Sequence, residues 1–181
     1  MILFENVIFD KSDCDYLINN TSDFVQSGYK AGIGKIGYNL KKRNSFVSKL
    51  TLEKNNPIFL KIENAFNSIG YTILLDKLNV ELYKYIKGSF IAKHIDSDLF
   101  EKNRFCVCVG QLSIPTNYSG GQFNSYIKEE KIPMSKELGN FLIIPPEIVH
   151  EVEMVESGER ISLILSFTHS EIKSISKKSV I

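Results

Sequence analysis

The sequence predicts an α+β protein in which N-terminal helices precede a β-sandwich or jelly roll. From Val80 onward apolar residues recur at every second position, which is typical of strands that bury one face. These runs are short and are separated by Gly, Pro and Asn, which favours a sandwich or roll over alternating β and α units. At 181 residues the chain is long enough for one domain with a sizeable core.

Two helices are predicted in the first third of the chain. The longer one begins after Asn56, which can cap it, has Pro57 at its first position and ends at Gly70. Its apolar residues fall on one face, and they are Ile58, Ile62, Ala65, Phe66 and Ile69. A shorter helix is expected over about Ser12 to Asn20, because acidic residues in its first turn suit the positive end of the helix dipole.

The predicted strands share alternating apolar positions and turn residues at their ends. They span Val80–Ile86, Phe90–Ile95, Arg104–Leu112, Gly121–Ile127, Phe141–Ile144, His150–Val155 and Arg160–Phe167. We therefore expect a single domain that consists of a helical N-terminal support (1–79), a β-rich core (80–168) and a basic, solvated tail (169–181).

Composition argues against several classes of partner. The net charge is +1, so no global field would recruit nucleic acid or a membrane surface. No apolar run approaches the roughly 18 residues that a membrane span needs, and the N-terminus lacks the positive flank of a secretory signal. Three cysteines make no disulfide framework, so a cytoplasmic, reducing location is expected. Cys106 and Cys108 would share one strand face as core residues, with a pair of metal thiolates as the weaker alternative.

The stretch "SFIAKHIDSD" places His94 and Asp96 two residues apart in a strand-like run. Alternate strand residues point the same way, so both side chains can reach one metal ion. The same face would carry Phe90 and Ala92 as an apolar floor. Asp98 also lies on this face and could replace Asp96 if the strand bends.

The second candidate ligand is His150 in "HEVEMV", where alternation puts His150, Val152 and Met154 on one face. A buried histidine that bonds a backbone carbonyl would explain His150 alone. Together with His94 and Asp96, however, it completes the two-histidine, one-carboxylate set that is typical of non-haem Fe(II) sites. The remaining His169 follows the last strand and is expected to be an exposed bystander.

Ten residues after His150, Arg160 follows a predicted turn "ESGE" in which Gly158 can adopt positive φ. In "RISLILSF" the apolar face should pack under the helices, which turns Arg160 and Ser162 toward the interior. A buried arginine is costly unless it is paired, and a ligand carboxylate would pair it in a bidentate fashion. The alternative is a surface ion pair with Glu156 or Glu159.

In combination, these residues resemble the Fe(II)- and 2-oxoglutarate-dependent dioxygenases, in particular the prolyl 4-hydroxylase-like branch with the PKHD-type hydroxylases. The resemblance covers roughly Val80 to Phe167, through "LYKYIKGSFIAKHIDSD", "VGQLSIPTNYSGGQF" and "GNFLIIPPEIVHEVEMVESGERISL". It implies a double-stranded β-helix (jelly roll) core with the N-terminal helices packed on one sheet. "YSGGQF" matches the family's Gly-Gly hairpin.

The resemblance also implies the roles of individual residues. His94, Asp96 and His150 would bind Fe(II), and Arg160 would bind the far carboxylate of 2-oxoglutarate. Tyr85, on the preceding strand, would contact this co-substrate. Gln111 stands where relatives carry a tyrosine that bonds the co-substrate, and Ser162 lies on the face of Arg160.

The implied reaction consumes O2 and 2-oxoglutarate and hydroxylates a C–H bond, with ascorbate as a candidate reductant. Relatives suggest a prolyl or other protein side chain, and a free amino acid or small metabolite remains open. A cupin-type metal protein or a non-catalytic jelly roll is the alternative class. The sequence indicates no oligomeric state. The loop "SDLFEKNR" (97–104) and the glycine-rich segment before Lys41 are hypothesised to form a lid.

Overall fold

The computed structural model describes residues 2–32, 35–37, 43–96 and 103–175. Two α-helices lie within this part, α1 (Lys11–Asn19) and α2 (Pro57–Ser68), together with a short 3₁₀ turn (Pro115–Asn117). The strands are β1 (Phe4–Val7), β2 (Val25–Gln26), β3 (Tyr29–Gly32), β4 (Lys35–Gly37), β5 (Arg43–Asn44), β6 (Phe46–Glu53), β7 (Tyr71–Ile73), β8 (Lys77–Ile86), β9 (Phe90–His94), β10 (Arg104–Gln111), β11 (Tyr118–Gly120), β12 (Phe123–Ile127), β13 (Glu130–Pro133), β14 (Asn140–Ile144), β15 (Val149–Val152), β16 (Val155–Thr168) and β17 (Ile172–Ser174).

Two antiparallel sheets build the body of the described chain. The larger sheet has the order β1-β14-β10-β16-β8-β6-β2, and β11 also pairs with β16. The smaller sheet has the order β13-β12-β15-β9-β5. Two further ribbons, β17-β7 and β3-β4, complete the described strand pairs. The mainly β architecture predicted from the sequence is thus confirmed.

Alternation along the larger sheet divides the apolar side chains between two clusters. One cluster joins α1 and α2 to one face of β16, and its β16 members are Ile161, Leu163, Leu165 and Phe167. Phe66 of α2 meets Phe167 there, with ring centroids 4.9 Å apart. The second cluster draws on strands of both sheets and contains Tyr85, Ile91, Val107, Val109, Phe123, Leu142, Ile144 and Val152. Arg160 and Ser162 point away from the helix-side cluster, as predicted.

Both predicted helices are confirmed, and their caps explain their ends. At α1, Asp10 and Asp13 form a reciprocal capping box, with each side chain accepting from the other's backbone N–H. At α2, Asn56 Oδ1 accepts a hydrogen bond from the Ile58 N–H at 2.9 Å. Gly70 follows with φ of +86°, the left-handed conformation that lets the chain leave the helix.

The expectation of a purely helical first third was wrong. Six strands, β1 to β6, lie before α2, and β6 pairs with β8 along its full length from Phe46↔Lys84 to Glu53↔Lys77. The expected solvated tail also needs correction, because β17 pairs with β7 and Ile172 is buried. Residues 176–181 of that tail lie outside the described part of the chain.

Two predicted turns also differ from the structure. The "ESGE" segment is no turn between strands but part of the 14-residue β16, because β11 pairs with it at Tyr118↔Gly158. Gly158 does adopt positive φ, +73°. Glycine is needed there because a Cβ would lie 2.0 Å from the Asn117 carbonyl oxygen. The "YSGGQF" segment is no hairpin, because β11 pairs with β16 whereas β12 pairs with β13 and β15. Its glycines instead carry the chain from one sheet to the other.

The three cysteines are free and buried, as expected of small core residues. Cys106 and Cys108 belong to the helix-side cluster, so the metal-thiolate alternative gains no support from their position. Among the described helices, none combines the length and the apolar character that crossing a membrane requires.

Candidate metal centre and the buried arginine beside it

Three predicted ligands meet in the smaller sheet. His94 ends β9 and His150 lies on β15, where the two residues are direct partners in the antiparallel pairing. Asp96 follows two residues after His94, and the candidate ligand atoms all lie within 4.8 Å of one another. The Nε2 atoms of His94 and His150 lie 3.7 and 3.5 Å from the two carboxylate oxygens of Asp96. The structure therefore brings together the three side chains that were predicted from the sequence as metal ligands.

Hydrogen bonds orient both imidazoles for metal binding. Nδ1 of His94 lies 2.9 Å from the Ala92 carbonyl oxygen, and Nδ1 of His150 lies 2.8 Å from the Ile148 carbonyl oxygen. A carbonyl can only accept, so each Nδ1 carries the proton and each Nε2 presents its lone pair. Metal-binding histidines commonly donate their other ring N–H to a carbonyl or carboxylate oxygen in this way. The donor set and its orientation fit a divalent metal ion.

Burial disfavours the charged form of His94. Together with the adjacent His150, it lowers the pKa of His94 to about 4. The two rings lie 4.2 Å apart between centroids, and Phe123 stacks on His150 at 5.5 Å. His94 is therefore neutral at pH 7, and its Nε2 lone pair is available to a metal ion.

Two details of the predicted strand faces, one on β9 and one after β15, were wrong. The register shifts between His150↔His94 and Val152↔Ile91, so two residues on β9, Ala92 and Lys93, oppose the single residue Glu151 on β15. Ile91, and not Ala92, consequently joins the interior cluster. Met154 lies beyond the end of β15 and is 55% exposed, so it does not share the inward face of His150.

Asp96 is held from both its backbone and its side chain. Its N–H donates to the Pro146 carbonyl at 2.9 Å. Nη1 of Arg104 donates to the Asp96 carbonyl at 3.3 Å and lies 3.6 Å from Oδ1. The alternative ligand Asp98 and most of the hypothesised lid lie outside the described residues. His169 is exposed, as predicted.

Arg160 is the largest fully buried side chain and is only 1% exposed. Its Nη1 donates to Ser162 Oγ at 3.4 Å, and its guanidinium lies 5.2 Å from the ring centroid of Tyr85, its partner across the sheet. These partners are neutral, and no carboxylate in the described chain pairs with Arg160. Burial raises the pKa of Tyr85 although Arg160 opposes the shift, so this phenol stays protonated.

Gln111 reaches the same region but has partners of its own. Its amide nitrogen donates to the Ser113 carbonyl at 3.1 Å and to the Tyr118 hydroxyl at 2.9 Å. Because Tyr118 accepts this bond, its own hydroxyl hydrogen is available to another acceptor. Gln111 and Arg160 both line one small cleft. Gly121 also lines the cleft, and a Cβ on it would lie 3.3 Å from Cδ of Arg160.

Sequence reasoning missed Tyr118 and Arg104. Tyr118 lies on the three-residue β11, which is too short to show a period. Arg104 has the parity of the core residue Cys106, so regular alternation would place it on the helix side of β10. A register shift between Arg104 and Cys106 breaks that parity, and no sequence pattern signals it.

Comparison with known proteins identifies the fold. No protein-family model and no curated protein sequence matches this chain. Among solved structures, an oxidoreductase of the 2OG-Fe(II) oxygenase family from Burkholderia pseudomallei is similar, with TM-score 0.62, 19% identity and coverage of 90% of this chain and 81% of that one. A Pseudomonas putida prolyl-4-hydroxylase gives TM-score 0.64 and 15% identity over 91% of each chain.

A third similar structure is a Trichoplax adhaerens prolyl hydroxylase in complex with a hypoxia inducible factor peptide fragment. It gives TM-score 0.60 and 12% identity, and the match covers 88% of this chain and 77% of that one. The chain therefore has the fold of 2OG-Fe(II) oxygenases and prolyl hydroxylases. The resemblance drawn from the sequence is confirmed at the level of the fold.

Proposed function

We propose that this protein is an Fe(II)- and 2-oxoglutarate-dependent dioxygenase that hydroxylates a C–H bond. One observation carries the proposal: two histidines and an aspartate converge, with their candidate ligand atoms within 4.8 Å of one another. A buried arginine that pairs with no carboxylate of the described residues adds a binding group for an anionic co-substrate. The fold of the similar solved structures agrees with both features.

His94, Asp96 and His150 would hold Fe(II), which supplies dioxygen activation and C–H oxidation when bound. Arg160 would bind the far carboxylate of 2-oxoglutarate in a bidentate fashion, and Ser162 Oγ would fix the guanidinium. Tyr85 would present a protonated phenol beside that pair. No side chain needs to act as acid or base, and the chain's own task is orientation and exclusion of water.

In this proposal the two sheets are the halves of a double-stranded β-helix, with the N-terminal helices supporting the larger sheet. The cluster between the sheets consists of apolar side chains from both, including Val107, Leu142 and Ile144. Such walls exclude water from a reactive centre and strengthen the pairing of Arg160 with an anion.

For the substrate we propose a prolyl or other side chain of a protein or peptide. The support is the similar Trichoplax adhaerens hydroxylase, whose structure contains a peptide fragment. A free amino acid or small metabolite is the second candidate, because the partly buried Arg43 guanidinium has neutral partners and could bind a small carboxylate.

The direct test combines binding with turnover. Purified protein with Fe(II), ascorbate and 2-oxoglutarate should form succinate slowly without substrate, and isothermal titration should show 2-oxoglutarate binding that depends on metal. His94→Ala should lose both, while Lys131→Met, an exposed surface change, should lose neither. Tightly held zinc together with indifference to 2-oxoglutarate would refute the proposal in favour of a cupin-type or non-catalytic metal protein.

A further inference from the structure

Arg43 lies on the edge strand of the smaller sheet, next to the strand that carries His94. This strand, β5, pairs with β9 through Arg43↔Ile91, and Ile91 in turn pairs with Val152 of β15. The neighbouring strands β15, β9 and β5 thus carry His150, His94 and Arg43, with Arg43 three residues along β9 from the His94↔His150 pair. The co-substrate proposal assigns no role to this arginine.

The side chain of Arg43 reaches the opposite sheet. Its Nη1 lies 3.3 Å from the Tyr83 hydroxyl, and its guanidinium lies 5.5 Å from the centroid of that ring. The rings of Tyr83 and Tyr85 stack 6.4 Å apart on one face of β8, and Arg160 lies over Tyr85. Two guanidinium groups therefore face two adjacent tyrosines inside the fold.

The partners of Arg43 are neutral. Its Nη1 donates to the Gly28 carbonyl and to the Tyr83 hydroxyl, both at 3.3 Å, and no carboxylate of the described chain lies within ion-pair distance. Beyond Tyr83, Glu81 accepts from the hydroxyl at 3.3 Å and pairs with Lys49 at 3.4 Å. A partly buried guanidinium with only neutral partners can still bind an anion.

The position of Arg43 places it near the metal site. Arg43 pairs with Ile91, and His94 lies three residues further along the same strand β9. At about 3.3 Å per strand residue, His94 lies roughly 10 Å along β9 from the pairing position of Arg43. An anion held by Arg43 would therefore lie close to the candidate metal ligands.

We propose that Arg43 binds a carboxylate of the molecule that is hydroxylated, so the substrate is an acid whose carboxylate lies close to the oxidised carbon. This inference rests on the proposed function, since it divides the two arginines between co-substrate and substrate. The carboxylate belongs either to a free amino acid or to an acidic residue beside the target in a peptide. Both sources present the same chemistry to a guanidinium.

The test measures binding without turnover. Protein loaded with Mn(II) and N-oxalylglycine, an unreactive 2-oxoglutarate analogue, is titrated with two sets of probes by calorimetry and thermal unfolding. One set contains the free L-amino acids and their carboxamides. The other contains acetylated, amidated dipeptides Pro-Asp and Pro-Glu, with Pro-Asn and Pro-Gln as their neutral counterparts.

At least one carboxylate probe should bind and raise the unfolding midpoint, and its amide should bind at least tenfold more weakly. Arg43→Gln should lose this difference, and Arg43→Lys should retain part of it. Lys49→Gln is the matched control, because it removes an exposed positive charge near Glu81 without touching Tyr83. The set that contains the binding probe identifies the source of the carboxylate.

Equal binding of acids and amides, unchanged discrimination in Arg43→Gln, or no binding of any carboxylate would each overturn the inference. Loss of N-oxalylglycine affinity in Arg43→Gln would also overturn it, by placing Arg43 in the co-substrate site. The proposed function fails separately if the wild-type protein binds neither Mn(II) nor N-oxalylglycine. Unfolding midpoints of metal-free Arg43→Gln and Arg43→Lys verify that both variants fold.

Discussion

Replacing Arg160 by Met separates a binding role from a structural one, because the two roles predict opposite effects on stability. Arg160 is 1% exposed, and in the absence of ligand its partners are Ser162 and the Tyr85 ring, both neutral. A buried charge without a counter-ion costs several kcal/mol, and an apolar residue of similar volume removes that cost. If Arg160 is kept for a ligand, the ligand-free variant should be at least as stable as the wild type.

The magnitude follows from the same burial. Replacement of buried ions by apolar residues often stabilises by about 1–4 kcal/mol, which for a chain of this size raises the unfolding midpoint by roughly 2–4 °C per kcal/mol. Loss of the bidentate pair with a carboxylate should cost about 2–5 kcal/mol of co-substrate affinity, a weakening of about 30-fold or more.

Differential scanning calorimetry with and without 2-oxoglutarate and Mn(II) measures both effects. Arg160→Met should unfold at the same or a higher temperature than the wild type without ligand, and 2-oxoglutarate should no longer raise its midpoint. Lys131→Met, at the exposed pair with Glu153, controls for the loss of one positive charge. A variant destabilised by several kcal/mol, or one that still binds 2-oxoglutarate normally, would refute the reasoning.

Three further changes test other parts of the structure. His150→Ala removes one of three ligands and should weaken Fe(II) or Mn(II) binding at least 100-fold in equilibrium dialysis, so near-normal affinity would contradict the metal site. Tyr118→Phe removes a hydroxyl whose hydrogen is available to a carboxylate of 2-oxoglutarate, and it should weaken 2-oxoglutarate binding about tenfold. An unchanged Kd in calorimetry would argue against a hydrogen bond from Tyr118 to 2-oxoglutarate. Gly139→Ala should cost about 2–4 kcal/mol in urea unfolding, because its Cβ would lie 1.8 Å from a carbonyl oxygen at positive φ. Gly88→Ala has positive φ but open space and should cost about 1 kcal/mol, so similar losses in both would contradict the steric argument.

The metal site could be predicted because its information is local. His94 and Asp96 lie on one short segment, and the two-residue period of a strand predicts that their side chains point to the same face. His150 and Arg160 belong to strands with an equally clear alternation, so their inward direction also follows from the sequence. What the alternation cannot state is which strands become neighbours, and the pairing of β9 with β15 makes the site.

The errors have a common physical cause, which is that polar residues occupy inward positions. In β6 the buried position between Phe46 and Leu52 is Ser48, whose hydroxyl bonds the Ser22 carbonyl at 2.6 Å. A serine in that place hides the apolar alternation of β6, which lies between β8 and β2 in the larger sheet. The same limitation hid Tyr118, because its inward role depends on Gln111, which lies seven positions earlier and on another strand.

Charge balance at the site supports different tasks for the two arginines beside the tyrosines. A divalent metal, the Asp96 carboxylate, dianionic 2-oxoglutarate and the Arg160 guanidinium would together carry no net charge, and Arg104, 3.6 Å from Asp96 Oδ1, adds a positive charge on the metal side. Arg43 adds a second cation, whose hydrogen-bond partners among the described residues are neutral. Arg160 is sealed from water, so its field is screened little by salt, whereas the less buried Arg43 is accessible to an arriving molecule. A loaded centre flanked by positive charge favours an anionic substrate over a neutral one, because only the anion gains from that field as it approaches.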